Sequence, residues 1–225
     1  RAAAADEALA AGEIWGPLHG VPVTFKDVFE TAGVRTTSSF KPLTDHIPTQ
    51  DATVVARLKS AGAIILGKTN MPMLALDIQC DSPIFGRTNN PWDLTRTPGG
   101  STGGGAAAVV AGLSPLEIGS DLGGSVRIPA HFCGVYSLKP TDHLVSIAGH
   151  IPEPPGAPQG VRRMGMPGPV TRSVEDLELA LTLIAGMDGR RWEAPPIPLS
   201  KVEPPDIQSV RIAWTDQFGD GRVSA

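Results

Sequence analysis

Two serines and one lysine are the residues of this sequence whose types and spacing could do chemistry. Ser101 and Ser125 each follow a Gly-Gly pair and lie 24 positions apart, and Lys26 stands 75 positions before Ser101 at the end of an apolar segment. Glycines beside a serine let the backbone approach a ligand closely and turn its N–H groups toward a reacting atom. A serine hydroxyl needs a base to act as a nucleophile, and lysine can be that base when burial keeps it neutral. The pattern therefore predicts serine-based acyl transfer without a histidine.

The stretches around these residues resemble the amidase signature family. They are GPLHGVPVTFKD, ATVVARLKSAGAIILGKTNMP, SPIFGRTNNPWDLTRTPGGSTGGGAAAVVAG and GSDLGGSVRIPAHFCGVYSLKPT. The resemblance runs from Leu18 to Thr141, continues more weakly through MPGPVTRSVEDLELAL, and includes both spacings. Several motifs in order at the family's separations are far more specific than a single glycine loop.

This resemblance implies an enzyme that hydrolyses a carboxylic amide to an acid and an amine or ammonia through an acyl-enzyme. Ser125 is then the nucleophile, Ser101 relays its proton, and Lys26 is the base. The resemblance also implies a cis peptide bond between Gly100 and Ser101. We expect the Ser101 hydroxyl to lie within hydrogen-bonding distance of both the Lys26 amine and the Ser125 hydroxyl.

The remaining site predictions concern the oxyanion, the acyl group and the loop before Ser125. The backbone N–H groups suited to an oxyanion belong to Leu122, Gly123, Gly124 and Ser125. Ala75 occupies a position that resembles a family substrate-pocket residue, so we expect it to line the acyl site. Asp121 and Arg127 are expected to form a structural pair that holds the loop. The resemblance implies no cofactor and no metal, and the five histidines show no metal-ligand spacing.

Two other catalytic or binding motifs match parts of the same region. Residues 99–103 fit G-x-S-x-G, the nucleophile elbow of α/β-hydrolases, with His131, His143 or His150 as a base. Residues 103–108 fit a loose dinucleotide fingerprint, with Asp121 near the expected acidic position. Both motifs require a buried strand before the loop, and residues 91–98 are polar and flanked by proline. The sequence therefore disfavours both.

Two alternatives to a general amidase stay open within the resemblance. One is the glutamine-hydrolysing subunit of a tRNA-dependent amidotransferase, which carries the same signature. That subunit characteristically has glutamine where this chain has Ile128, which weakens this alternative without excluding it. The other is a catalytically incompetent fragment or scaffold of the same fold, because family members are considerably longer and the sequence is expected to be incomplete at both ends.

Composition limits the function classes but identifies none of them. The chain has 225 residues, 41% of them hydrophobic, which is enough for the core of one large domain spanning 1–225. A net charge of −4 gives no reason to expect nucleic-acid binding. Two cysteines suggest no disulfide framework, and no apolar run is long enough for a membrane span. We therefore expect a cytoplasmic protein, and the resemblance implies an enzyme that binds a small-molecule amide, with a homodimer left open.

The elements that must position the site alternate between strands and helices. Apolar segments at Val21–Phe25 and Ala63–Gly67 predict buried strands, and a third segment, Pro115–Gly119, leads into the Gly-Gly-Ser turn. The helices are predicted at Asp51–Ala61, Ser101–Gly112 and Val174–Ile184. Proline-rich stretches predict a long loop at Gly149–Gly168 and a linker at Ala194–Pro205, and Val210–Trp214 predicts a further strand. The pattern predicts an α/β fold whose mixed, mainly parallel sheet is covered by helices on both faces.

Overall fold

A five-stranded sheet with helices packed against it forms the centre of the computed structural model, which describes residues 1–151, 164–190, 206–211, 217–218 and 221–222. The α-helices are α1 Ala2–Ala10, α2 Thr53–Ser60, α3 Gly103–Val110, α4 Arg127–Cys133 and α5 Val174–Ile184. The strands are β1 Pro22–Lys26, β2 Ile64–Thr69, β3 Asp81–Ser82, β4 Gly86–Arg87, β5 Leu116–Asp121, β6 Tyr136–Ser137, β7 Met166–Thr171, β8 Gln217–Phe218 and β9 Gly221–Arg222. Short 3₁₀ turns occupy Lys41–Leu43, Met73–Ala75 and Ile207–Ser209.

The sheet has the strand order β2-β1-β5-β7-β6 and is mainly parallel. Strand β1 pairs in parallel with β2 and with β5, whereas β7 pairs antiparallel with both β5 and β6. Strands β2, β1, β5 and β6 therefore run in one direction, and β7 runs against them. This arrangement confirms the predicted mixed, mainly parallel sheet.

The side chains of β1 alternate between the apolar core and the opposite face of the sheet, where Lys26 lies. Val23 and Phe25 are fully buried in a cluster with residues of α2 and α5. Thr24 and Lys26 point to the opposite face because successive side chains of a strand alternate. A second buried cluster joins α3 and α4 to β7. Helices thus cover both faces, as predicted, and Lys26 lies on the face that carries α3.

Strand β7 is the element that the sequence pattern misses. We predicted a loop over Gly149–Gly168, but Met166–Gly168 belong to β7, while residues 152–163 lie outside the described residues. The Pro169 carbonyl accepts from the Leu138 N–H, so the face of Pro169 that lacks a donor is turned away from β5. Pro167 lies two residues earlier and shares that orientation. The strand can therefore pair with β5 along its whole length despite two prolines.

The C-terminal predictions are only partly covered by the structure. Val210 and Arg211 form no strand, contrary to the predicted Val210–Trp214 segment, whose other residues lie outside the described residues. The linker predicted over Ala194–Pro205 also lies outside them. None of the helices that the structure describes is long and apolar enough to cross a bilayer.

Close packing between α3 and the end of β2 fixes the helix that follows Ser101. The Gly104 N–H donates to the Asn70 carbonyl oxygen at 3.2 Å, and a Cβ on Gly104 would lie 2.4 Å from that oxygen. Backbone atoms cannot yield to such a contact cheaply. The glycine therefore lets α3 approach the sheet and places the N-terminus of the helix beside the end of β1.

Gly104→Ala is expected to destabilise the protein although alanine favours helix. The intrinsic preference for alanine is worth up to about 1 kcal/mol, whereas overpacking against the Asn70 backbone costs roughly 1–3 kcal/mol or more. The matched control is Gly67→Ala, because a Cβ on Gly67 meets nothing within 4 Å. Urea unfolding should show a lower free energy of unfolding for Gly104→Ala alone. Equal stabilities of the two variants would contradict this role for the packing of Gly104.

Candidate active site

Lys26 ends β1 with its amine inside the protein. The residue is 0% exposed, and its Nζ donates to Ser101 Oγ at 2.6 Å. The same nitrogen donates to the Ser120 carbonyl oxygen at 3.3 Å and to Ser120 Oγ at 3.1 Å. The structure thus brings together Lys26 and Ser101, which the sequence places 75 positions apart.

Burial controls the protonation of this lysine. Desolvation lowers the pKa of Lys26 from 10.5 to about 7. The electrostatic interactions with Glu117, Asp121 and Cys80 raise this pKa, but by less than burial lowers it. Burial acts in the other direction on Glu117, whose pKa rises to about 7. Because the charged form of the amine is disfavoured, Lys26 can lack its proton near neutral pH, which a general base requires.

Ser101 is fully buried at the start of the segment that enters α3. The Gly100–Ser101 peptide bond is cis, as the resemblance implied. Gly100 packs against the backbone of Asp77 and Ile78, where a Cβ would lie 2.8 Å from the Ile78 carbonyl carbon. The Thr102 N–H donates to the Ser125 carbonyl oxygen at 3.0 Å and links this segment to the second serine.

Ser125 lies in the loop between β5 and α4, which the Asp121 carboxylate organises. Asp121 accepts from the backbone N–H of Gly124 at 2.7 Å and of Val126 at 3.0 Å, and from Nε and Nη2 of Arg127 at 3.0 and 2.9 Å. Although burial opposes it, these bonds lower the pKa of Asp121 to about 2. The predicted Asp121–Arg127 pair is confirmed, and it holds the loop that carries Ser125.

Among the described residues, the expected hydrogen bond between the two serine hydroxyls is not formed, and the Thr102 N–H reaches the Ser125 main chain instead. Ser125 is half-buried, so rotation about its side-chain bond is open to it. Catalytic hydrogen bonds often tighten only when substrate binds. The structure therefore shows the predicted contact of Lys26 with Ser101, and the roles of both residues and the contact with Ser125 stay predictions.

The predicted oxyanion donors differ in their availability. Leu122 and Gly123 are exposed at the end of β5, where their backbone can face a ligand. The Gly124 N–H already donates to Asp121 Oδ1. Its role as an oxyanion donor stays a prediction, and it requires that this hydrogen be shared or released. The loop is held in place at Gly124 by the same bond.

The hydrolase-elbow alternative does not fit this geometry. No strand precedes Ser101, since residues 94–102 form turns and irregular structure. The side-chain partner of Ser101 is a lysine, whereas His150 contacts Ser120. The absence of a strand before the loop also removes the basis for a dinucleotide site.

A comparison of the whole sequence with protein families agrees with the site. The profile described as Amidase matches residues 1–224. The chain belongs to the Amidase family. Its fold follows from that membership and from the solved structures below.

The relatives of this chain include proteins named as subunits of a larger enzyme. The A subunit of glutamyl-tRNA(Gln) amidotransferase from Carboxydothermus hydrogenoformans is 49% identical over 183 residues, which are 81% of this chain and 36% of that protein. The protein of the same name from Moorella thermoacetica is 44% identical over 224 residues, covering 98% of this chain and 45% of that protein. The chain thus spans less than half the length of these relatives.

Solved structures of amidases share the fold. The peptide amidase of Stenotrophomonas maltophilia superposes with a TM-score of 0.80 at 36% identity, covering 88% of this chain and 40% of that one. The A subunit of the Thermotoga maritima glutamyl-tRNA(Gln) amidotransferase gives a TM-score of 0.75 at 40% identity, covering 81% and 39%.

The predicted pocket residue, Ala75, ends the 3₁₀ turn Met73–Ala75. It is half-buried, packs against the core cluster, and has a positive φ of 60°. Two residues later the chain reaches Asp77, whose carbonyl oxygen faces Gly100. The turn is therefore connected to the backbone that contacts the Ser101 segment, and the role of Ala75 in lining the acyl site stays a prediction.

Ser120 and Glu117 were not singled out from the sequence, and His150 was considered only as a base for the disfavoured hydrolase elbow. Ser120 accepts from Lys26, His150 contacts Ser120, and Glu117 is fully buried, accepting from Thr69 Oγ1 at 2.6 Å. A charged residue inside a predicted buried strand was the available signal for Glu117. No local sequence signal marks Ser120, and none connects His150 to it. Among the described residues, no three His, Cys, Asp or Glu side chains cluster as a metal site would require.

Proposed function

We propose that this chain carries the catalytic centre of an amidase in which Ser125 is the nucleophile, Ser101 the proton relay and Lys26 the base. The observation that carries the proposal is the fully buried Lys26 amine 2.6 Å from Ser101 Oγ. A buried lysine without a carboxylate in hydrogen-bonding contact is costly unless it can lose its proton. Its lowered pKa supports a role as base rather than as a structural cation.

The proposed reaction begins when the Ser125 oxygen attacks the amide carbon. The Ser125 proton moves to Ser101 Oγ as the Ser101 proton moves to Lys26 Nζ, which becomes an ammonium. The relay then returns a proton to the amide nitrogen, the carbon–nitrogen bond breaks, and the amine or ammonia leaves an acyl ester on Ser125. Water attacks that ester through the same relay and releases the acid.

Backbone donors are proposed to stabilise the negative oxygen that forms in both steps. The N–H groups of Leu122, Gly123 and Ser125 are the candidates, together with Gly124 if its bond to Asp121 is shared. Asp121 supports the proposal indirectly, because it fixes the backbone at Gly124 and Val126 on both sides of the nucleophile.

Hydrolysis of glutamine for a tRNA-dependent amidotransferase is the second candidate function, and the 49% identical relative with that name favours it. Ile128 favours the general amidase instead. A Cβ on Gly124 would lie 2.6 Å from Ile128 Cδ1, so an apolar side chain covers the loop beside Ser125. We therefore propose an amide with an apolar acyl group over glutamine.

Ammonia and acid release from a panel of amides tests this choice. We expect the intact protein to hydrolyse apolar aliphatic or aromatic amides with a kcat/KM at least about tenfold above that for glutamine, since a misplaced polar group costs at least about 1.4 kcal/mol. Ser125→Ala is the control for contaminating activity. A preference for glutamine would support the amidotransferase role, and no hydrolysis of any amide would support the scaffold alternative.

A further inference from the structure

A second hydrogen-bonded branch leads from Lys26 away from Ser101. Ser120 Oγ lies 3.1 Å from Lys26 Nζ and 3.0 Å from His150 Nε2. The His150 ring meets Phe29 edge-on, with centroids 5.4 Å apart and an interplanar angle of 89°. The Ile151 N–H donates to the Val28 carbonyl oxygen at 2.8 Å and holds this segment beside the end of β1. The imidazole is therefore fixed next to the lysine without touching it.

The hydrogen-bonding capacity of a neutral amine limits what Lys26 can do. It has two N–H donors and one lone pair, and it has three neighbours: Ser101 Oγ, the Ser120 carbonyl oxygen and Ser120 Oγ. The carbonyl can only accept, so it takes one donor. The lone pair then faces either the Ser101 or the Ser120 hydroxyl. Only the first arrangement lets Ser101 transfer its proton to the base.

The hydrogen of the Ser120 hydroxyl decides between these arrangements. If Ser120 donates to Lys26, it occupies the lone pair that Ser101 needs. If Ser120 donates to His150 Nε2, its oxygen is left to accept from Lys26. A neutral imidazole protonated on Nδ1 provides that acceptor, and burial together with the charge of Lys26 lowers the pKa of His150 to about 3, which keeps the ring neutral.

We propose that His150 is a positioning residue that keeps the Ser120 hydroxyl an acceptor toward Lys26 and so reserves the lysine lone pair for Ser101. This inference rests on the proposed function, in which Lys26 is the base. It assigns a role to a residue that contacts neither serine of the relay.

Several other charged or titratable groups act on the two residues. Glu117, Asp121 and Cys80 act on Lys26, and Lys68 acts on His150. All of them remain in a His150 variant. A change in the pH profile of such a variant is therefore assigned to the lost acceptor rather than to altered charges around the lysine.

His150→Phe in the intact protein is the direct test, because it keeps an aromatic ring beside Phe29 but removes the acceptor. Ser120 then donates to the neutral lysine, which competes with Ser101 and also stabilises the neutral amine. We expect kcat to fall about fivefold to tenfold with little change in KM, in line with one hydrogen bond. We expect the acidic limb of the rate profile to move down by about half to one pH unit.

Two further variants separate this role from simple packing. His150→Gln places an amide oxygen near the former Nε2 position. This variant should recover most of the lost kcat, and the acidic limb of its rate profile should return to the wild-type position. In Ser120→Ala the branch is already broken, so adding His150→Phe should change neither kcat nor the limb further. Ser120→Ala also provides the test if thermal unfolding shows that His150→Phe does not fold.

The outcomes distinguish this inference from the proposed function. The role of His150 would be overturned if His150→Phe kept the wild-type kcat and the wild-type acidic limb of the rate profile. It would also be overturned if His150→Gln and His150→Phe were equally impaired. Either result would count even if Lys26→Met is inactive. Additive effects of the Ser120 and His150 substitutions would also overturn it. Full activity of Lys26→Met would instead remove the proposed base, and the inference with it.

Discussion

Replacing Ser125 by alanine is expected to abolish amide hydrolysis in the intact protein. The hydroxyl supplies the oxygen that carries the acyl group, so its loss should lower kcat by at least about 10³-fold. The fold should be retained, because Ser125 is half-buried and the bond that holds its backbone comes from the Thr102 N–H to a main-chain oxygen. Ammonia release under saturating amide, with circular dichroism of both proteins, measures the two effects.

Ser137→Ala is the matched control for this substitution. Ser137 is also half-buried, but it is the last residue of β6 and takes no part in the proposed site. Its activity should stay within about twofold of the wild type, since surface substitutions away from special contacts change little. Hydrolysis that survives in Ser125→Ala would point to Ser101 as nucleophile.

Replacing Lys26 by methionine should lower kcat by about 10²-fold to 10⁴-fold, the usual contribution of a general base. Methionine fills the buried volume without an amine, so the loss can be read as lost proton transfer rather than a cavity. Lys59→Met is the control, because Lys59 is half-buried on α2 and pairs with Asp51 at 2.6 Å, outside the proposed site. Near-normal hydrolysis by Lys26→Met would contradict the assignment of the base.

The rate of amide hydrolysis is expected to fall as the pH is lowered. Burial lowers the pKa of Lys26 to about 7, and the active form is the neutral amine. The wild-type rate should therefore fall below about pH 7, approaching tenfold per unit as the lysine becomes protonated. This limb should vanish from the residual activity of Lys26→Met. A wild-type profile that stays flat down to pH 5 would exclude a lysine base with this pKa.

The parts of the fold that sequence could predict are those with strong local signals. Apolar segments next to glycine predicted β1 and β2, and the amphipathic spacing and first-turn acidic residues of Val174–Ile184 predicted α5 at its observed bounds. Strand β7 was missed because its two prolines and one glycine are typical of loops. Only the folded structure, through the hydrogen bond from the Leu138 N–H to the Pro169 carbonyl oxygen, shows that the prolines turn their donor-free side away from β5.

The contacts of the candidate site were likewise predicted only where a sequence motif marks the residues. The Gly-Gly-Ser motifs and their resemblance predicted the contact of Lys26 with Ser101, and the loop composition predicted the Asp121–Arg127 pair. The branch through Ser120 to His150 joins residues 30 positions apart that no motif connects. Its existence depends on how the segment after Leu144 folds back onto β1, which is a tertiary property.

The bond from Gly124 to Asp121 refines the predicted oxyanion site for a physical reason. A sharp loop with several glycines exposes backbone donors, and a buried carboxylate at its start competes for them. The carboxylate that orders the loop thereby occupies the Gly124 N–H, which is one of the predicted oxyanion donors. Sequence could identify the glycines and the aspartate, but not which donor the aspartate would take.

The central claim, that Ser125 carries the acyl group, is tested most directly by mapping a covalent adduct. The intact protein is treated with a fluorophosphonate, digested, and the modified peptide is identified by mass spectrometry. We predict a single adduct on Ser125, absent from Ser125→Ala and formed more slowly at acidic pH. An adduct on Ser101, or unchanged labelling of Ser125→Ala, would contradict the claim.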